Sequence, residues 1–193
     1  MKDPKQNSEQ PSGCHTAAAG SAALDYPYLS EDELAHATKA LFRFRTLKEA
    51  RFLCDLVSSQ TFDPIIVGIG LIELMVNAIE HGNLEITYEE KGLLLKKGEW
   101  QKEVERRLEL PEYKSRYATL EFNRSEKHLD LLITDEGDGF DADKFLHNQT
   151  HDREESTGSQ YHGRGIAVAS QLDFEKIEYL GKGNQVRVSI LTK

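Results

Sequence analysis

Sulfur, proline and positive charge are all scarce in this chain of 193 residues. It contains two cysteines, two methionines and five prolines. Cys14 in a polar tail and Cys54 at a helix position make neither a disulfide framework nor a metal-binding spacing, so we expect a reducing, cytoplasmic setting. Lys and Arg number 24 against 33 Asp and Glu, a net charge of −9. That balance works against nucleic acid or an anionic membrane, which need clustered cations, and favours a protein or nucleotide partner. No apolar run reaches the roughly 20 residues of a membrane span, because Glu73 interrupts the strongest one at residues 65–72. Lys2, Asp3, Lys5 and Glu9 leave no apolar region for a signal peptide, or for lipidation at Cys14. A soluble protein is the expectation.

At 38% hydrophobic and 30% charged, the chain can bury one ordinary core if its apolar residues are concentrated, and they are. Residues 1–30 are rich in Ser, Gln, Pro, Gly and Ala without periodicity and read as a disordered tail, or as an arm that folds on a partner. Residues 31–193 form the domain. A strand at 40–45 leads to Thr46, which can cap an amphipathic helix carrying Leu53, Leu56 and Val57. Asp63 and Pro64 open a second, apolar helix expected to run to His81 and stop at Gly82-Asn83. Between 85 and 116 nearly every second residue is charged, yet Leu93, Trp100, Val104 and Leu108 share a helical face. One solvent-washed helix ending at Pro111 is predicted, a charged insertion spanning about 84–111. Strands at 117–123 and 129–134 suggest a hairpin, and strands at 174–180 and 185–191 flank Gly181-Lys-Gly-Asn184. The polar stretch 143–162 reads as a lid or as disorder, followed by a short helix at 166–172. This order predicts an α+β, two-layer sandwich, a mainly antiparallel sheet covered by helices on one face.

Three segments carry residues capable of chemistry. On the apolar second helix, Glu73, Asn77 and His81 recur at a spacing of four and share one face. They can hydrogen-bond to neighbouring loops. A carboxylate able to accept a proton and an amide oxygen able to bind Mg²⁺ also suit a phosphate site. In Asp135-Glu-Gly-Asp-Gly-Phe-Asp141, glycines at 137 and 139 allow a sharp turn and the close approach of a flat ligand, with Asp135 aimed at it. A plain turn remains open, whereas an EF-hand frame fails, with Gly137 and Gly139 at ligand positions and Leu146 where Glu belongs. Gly163, Arg164 and Gly165 precede the short helix and can meet phosphate oxygens, although no G-x-x-x-x-G-K-[ST] loop and no dinucleotide-binding crossover exist. His147 and His151 lack the Glu of a zinc H-E-x-x-H motif. His36 has no adjacent acid to mark a phosphoacceptor, and Ser170 and Ser189 have no visible base.

Taken together and in this order, the segments resemble the gyrase, chaperone, histidine-kinase and mismatch-repair (GHKL) ATPase superfamily over about residues 40–192. Glu73-Leu-Met-Val-Asn77-Ala-Ile-Glu-His81-Gly-Asn83 looks like its N-box, Asp135-x-Gly137-x-Gly139 like its adenine loop, and Gly163-Arg-Gly165 like the start of its phosphate loop. The size and the His-Gly ending look most like the anti-sigma-factor serine/threonine kinases. The resemblance implies a Bergerat-type fold with ATP and Mg²⁺ as cofactors. Asp135 would accept from the adenine amine in a pocket shaped by Gly137 and Gly139, with His81 and Arg164 also at the nucleotide. Asn77 would bind Mg²⁺, Gly163 to Gly165 would cradle phosphates, and Glu73 would take the proton of an attacking serine. The implied partners are an antagonist-type protein substrate and a sigma factor or other regulator, with a homodimer open. The charged insertion and the tail depart from the compact members, which leaves the partner open. The alternatives are a non-catalytic ATP-binding module that sequesters a partner, and a histidine-kinase catalytic domain, for which no dimerisation helix bearing a phosphoacceptor His is visible.

Overall fold

The structure is a computed structural model, and it describes residues 24–25, 30–140 and 174–192. Most of the tail, the 143–162 stretch, the Gly163–Gly165 loop and the helix expected at 166–172 lie outside the described residues. So do Cys14, His147, His151 and Ser170.

The chain runs β1 (Leu24–Asp25), α1 (Glu31–His36), β2 (Lys39–Phe44), α2 (Leu47–Ser58), α3 (Pro64–Asn77), a π-helical turn (Ala78–Asn83), α4 (Tyr88–Lys97), α5 (Trp100–Leu108), β3 (Ala118–Arg124), β4 (His128–Thr134), β5 (Lys176–Leu180) and β6 (Gln185–Leu191). The six strands form one sheet in the order β1-β2-β3-β4-β6-β5. Only the β1–β2 pair is parallel. Alternation sets the faces: Leu120 and Phe122 of β3, Leu131 and Ile133 of β4 and Val186 and Val188 of β6 are buried, whereas Glu121 and Arg187 are exposed. Registers Leu120↔Ile133, Phe122↔Leu131 and Leu131↔Val188 align the buried sets side by side. Leu53 and Val57 of α2 and Val67, Leu71 and Leu74 of α3 complete the core above them. The α+β architecture with helices on one face is the expected one.

Helix starts follow local chemistry. Thr46 Oγ1 accepts from Glu49 N at 3.2 Å while Glu49 Oε2 accepts from Thr46 N at 2.9 Å, a reciprocal cap. Asp63 accepts from Ile66 N at 3.1 Å, with Pro64 in the first turn. Helix α1 is additional to the sequence expectations, although Ser30 and Glu33 form the same reciprocal cap. Within the region expected to be a tail, Leu24–Asp25 pairs with β2.

Two sequence expectations need correction. The long apolar helix does not keep α-helical spacing to His81; it ends at Asn77 and widens, with Leu84 N donating to Ile79 O, five residues back, at 2.9 Å. The charged segment is two helices. Gly98 adopts φ +69 after the C-terminal lysines of α4, a left-handed cap that breaks the helix. Val104 and Leu108 are buried, but Leu93, assigned to their stripe, is 52% exposed. By length and composition the Pro64–Asn83 segment could span a membrane; here it supplies core residues above the sheet.

Candidate functional site

The end of α3 and the end of β4 meet at backbone distance. A Cβ on Gly82 would lie 2.3 Å from Asp135 Cγ, and one on Gly137 would lie 2.4 Å from Gly82 O. Neither position tolerates a side chain without displacing the other segment. Asn83 Oδ1 accepts from Glu136 N at 2.8 Å, and Glu136 Oε1 accepts from Tyr117 N at 3.0 Å, so the loop after β4 is pinned on both sides. The β5–β6 turn closes against the same loop: Asp135 N donates to Asn184 O at 3.0 Å and Asn184 Nδ2 donates to Asp135 O at 2.9 Å.

A pocket opens between these elements. Asn77, His81, Asp135 and Gly139 of the sequence-derived set line it. Glu73, half-buried one turn before Asn77, does not, and Gly137 is buried behind the rim against Gly82. Gly163, Arg164 and Gly165 lie outside the described residues. The sequence reading missed Tyr88, Phe140, Tyr179 and the 183–186 segment, which also line the pocket. The 181–184 turn was legible as a hairpin but carried no sign of a ligand; Tyr88 sits in a charged helix with no motif.

Burial sets the electrostatics. Asp135 is pushed up to about 6, chiefly by desolvation, against the pull of the Gly137 N–H at 2.8 Å and the charges of Lys182 and Arg116. His81 is pushed down to about 4 by desolvation, and Lys91 pushes the same way. Its Nδ1–H donates to the Ile86 carbonyl and its ring stacks on Tyr88 with centroids 3.9 Å apart. Tyr88 is raised to about 12 by desolvation and by Glu80. Glu80, fully buried one residue before His81, pairs with Lys91 Nζ at 2.6 Å. Desolvation still raises its carboxyl, partly offset by Lys91 and the Trp100 indole. Helix α4 therefore reaches the pocket through Tyr88, while Lys91 and Trp100 meet Glu80 outside its lining.

The arrangement can hold a flat, amine-bearing ring against a carboxylate, with a hard amide oxygen nearby. Asn77 suits Mg²⁺ that is otherwise held by phosphate oxygens; a second, protein-only metal site has no support, since no cluster of three metal-ligating side chains occurs among the described residues. No curated protein matches the chain. A family model described as the histidine kinase-like ATPase domain matches residues 31–190, spanning both the Asn77 helix and the Asp135 loop, and the chain belongs to that family of ATP-binding domains.

Proposed function

We propose that this domain is an ATP-dependent serine/threonine protein kinase acting on an antagonist-type protein domain, working in the cytoplasm and sequestering a regulator by partner switching. The observation that carries the reading is the convergence of Asn77 and Asp135, from elements 58 residues apart in sequence, on one pocket. Asp135 accepts from the adenine amine and Asn77 orients the phosphate-bound Mg²⁺, which when bound neutralises charge developing on the transferred phosphoryl group. Glu73 takes the proton of the incoming hydroxyl. Its place outside the pocket lining favours a second reading, a module that holds ATP to set its shape and sequesters a partner without transfer.

Incubation with Mg-ATP and an antagonist domain, followed by phosphosite mapping, separates the two. In the kinase, Asn77→Ala weakens nucleotide binding and transfer together. Glu73→Ala leaves affinity within a few-fold and slows transfer by about 10² to 10⁴, the yield of general-base catalysis. ATP-dependent binding of the domain without phosphate on any residue replaces the kinase by the sequestering module. Transfer at the parental rate in Glu73→Ala means the base is another group.

A further inference from the structure

The π-helical turn Ala78–Asn83 stands between the Asn77 helix and the Asp135 loop. Such turns are rare and concentrate at functional sites. This one is held by the charged segment that follows it, to which the nucleotide reading gives no task. Lys91 Nζ of α4 lies 2.6 Å from Oε2 of Glu80, whose side chain is fully buried. Arg107 Nη1 of α5 donates to the carbonyls of Leu84 and Glu85, and Arg116 Nη1 donates to that of Asn83. On its other side the turn bears on the Asp135 loop. Asn83 Oδ1 accepts from Glu136 N at 2.8 Å, and a Cβ on either Gly82 or Gly137 would collide with the other segment. Contacts this close leave no slack, so a shift of the turn becomes a shift of Asp135.

We propose that Lys91 is a positioning residue for base recognition: its ion pair with Glu80 fixes the turn, and the turn, through Gly82 and Asn83, fixes the Asp135 carboxylate where it meets the base. Lys91 itself does not line the pocket, so it acts through these residues and not on the ligand. Removing one partner of a buried pair leaves the other charge uncompensated, and the turn that carries Glu80 must then yield. The inference rests on the nucleotide reading above and gives the charged insertion a task inside the domain.

The test uses calorimetry on the full chain with Mg-ATP and with the Mg-triphosphate of purine riboside, which lacks the amine that Asp135 accepts from. The ratio of the two affinities reads the Asp135 contact alone, and a merely destabilised protein leaves it unchanged. Lys91→Met keeps most of the side chain's length and removes its charge. It should lower the ratio by about 2- to 10-fold, the coupling expected within one hydrogen-bond network, with the amine-free analogue near parental affinity. Should that variant fail to fold, Glu80→Gln combined with Lys91→Met strands no charge yet still lacks the ion pair, and its ratio should be low as well. Asn83→Ala cuts the same path nearer the loop and should lower the ratio too; adding Lys91→Met to it should lower the ratio no further. A parental ratio in the folded Lys91 variant, a loss shared equally by both ligands, or additive effects of Lys91→Met and Asn83→Ala overturns the inference and leaves the nucleotide site standing. A parent protein that binds neither triphosphate, or both alike, overturns the nucleotide reading itself.

Discussion

Asp135 combines a task with a cost. Its burial favours the neutral carboxyl, raising it from 3.8 to about 6, so its contribution to stability is fully present below its unfolded pKa and is lost as pH rises from about 4 through 6. Asp135→Asn preserves an oxygen for the Gly137 N–H and carries no charge at any pH. Its denaturation midpoint should exceed the parent's at about pH 7.5, and the gain should shrink toward pH 4; a gain independent of pH would contradict the buried charge. His81 works with the opposite sign: its lowered pKa destabilises the fold as pH falls from 6.5 through about 4. Both proteins share that loss, so it cancels in the comparison. The same substitution should weaken ATP by roughly 1.5 to 3 kcal/mol, the cost of a charged hydrogen bond, and reduce the preference over GTP, checked by calorimetry. Asp135 and Asn77 were legible because a carboxylate and a carboxamide in apolar or glycine-flanked settings need a reason to be there. Tyr88 and Tyr179 were not, because an aromatic at a helix start or in a strand is ordinarily core.

At the level of elements, the α4–α5 pair shows how a charged segment can be structural. Arg107 Nη1 donates to the carbonyls of Leu84 at 2.8 Å and Glu85 at 3.0 Å, and Arg116 Nη1 donates to the carbonyl of Asn83 at 3.0 Å. Both cations meet the carbonyl-rich end of the preceding helix, where positive charge is favoured. Arg107 also pairs with Glu103 and Glu90, and Arg116 with Glu85. The charge pattern that reads as solvation in sequence is in part spent on the backbone of the site. Three substitutions on these helices should separate accordingly in chemical denaturation. Lys91→Ala strands the fully buried Glu80 carboxylate and should cost about 3 kcal/mol or more. Trp100→Ala opens a cavity beside the same pair and should cost about 3 kcal/mol. Leu93→Ala, on the exposed side, should stay within about 0.5 kcal/mol. A Leu93 effect as large as that of Lys91 would restore the single-stripe helix.

For the whole molecule, the pocket is a joint product of α3, the first residue of α4, the end of β4 and the β5–β6 turn. A ligand seated there bridges both layers, so it should stabilise the folded state as a unit. Saturation at about 100 times Kd adds about 2.7 kcal/mol, which for a domain of this size raises Tm by roughly 5 to 10 °C. Thermal melts should show this rise with Mg-ATP and much less with Mg-GTP at equal concentration.

What the chain alone determined is local or periodic: the caps at Thr46 and Asp63, the alternation of β3, β4 and β6, the punctuation at Gly82 and Gly181, and hence the class of fold and the motifs that mark an ATP-binding domain. These follow from interactions within a few residues, which a sequence displays directly. Only tertiary structure decided the rest. The widening of α3 past Asn77 set the spacing between Asn77 and His81, and packing against Lys91 and Trp100 buried Glu80. Docking of α4 brought Tyr88 onto His81, and closure of the β5–β6 turn over the Asp135 loop put Tyr179 in the same pocket. The last joins segments distant in the chain, the others turn on how neighbouring elements dock, and no spacing of residues encodes which of two polar neighbours, Glu80 or His81, turns toward the pocket.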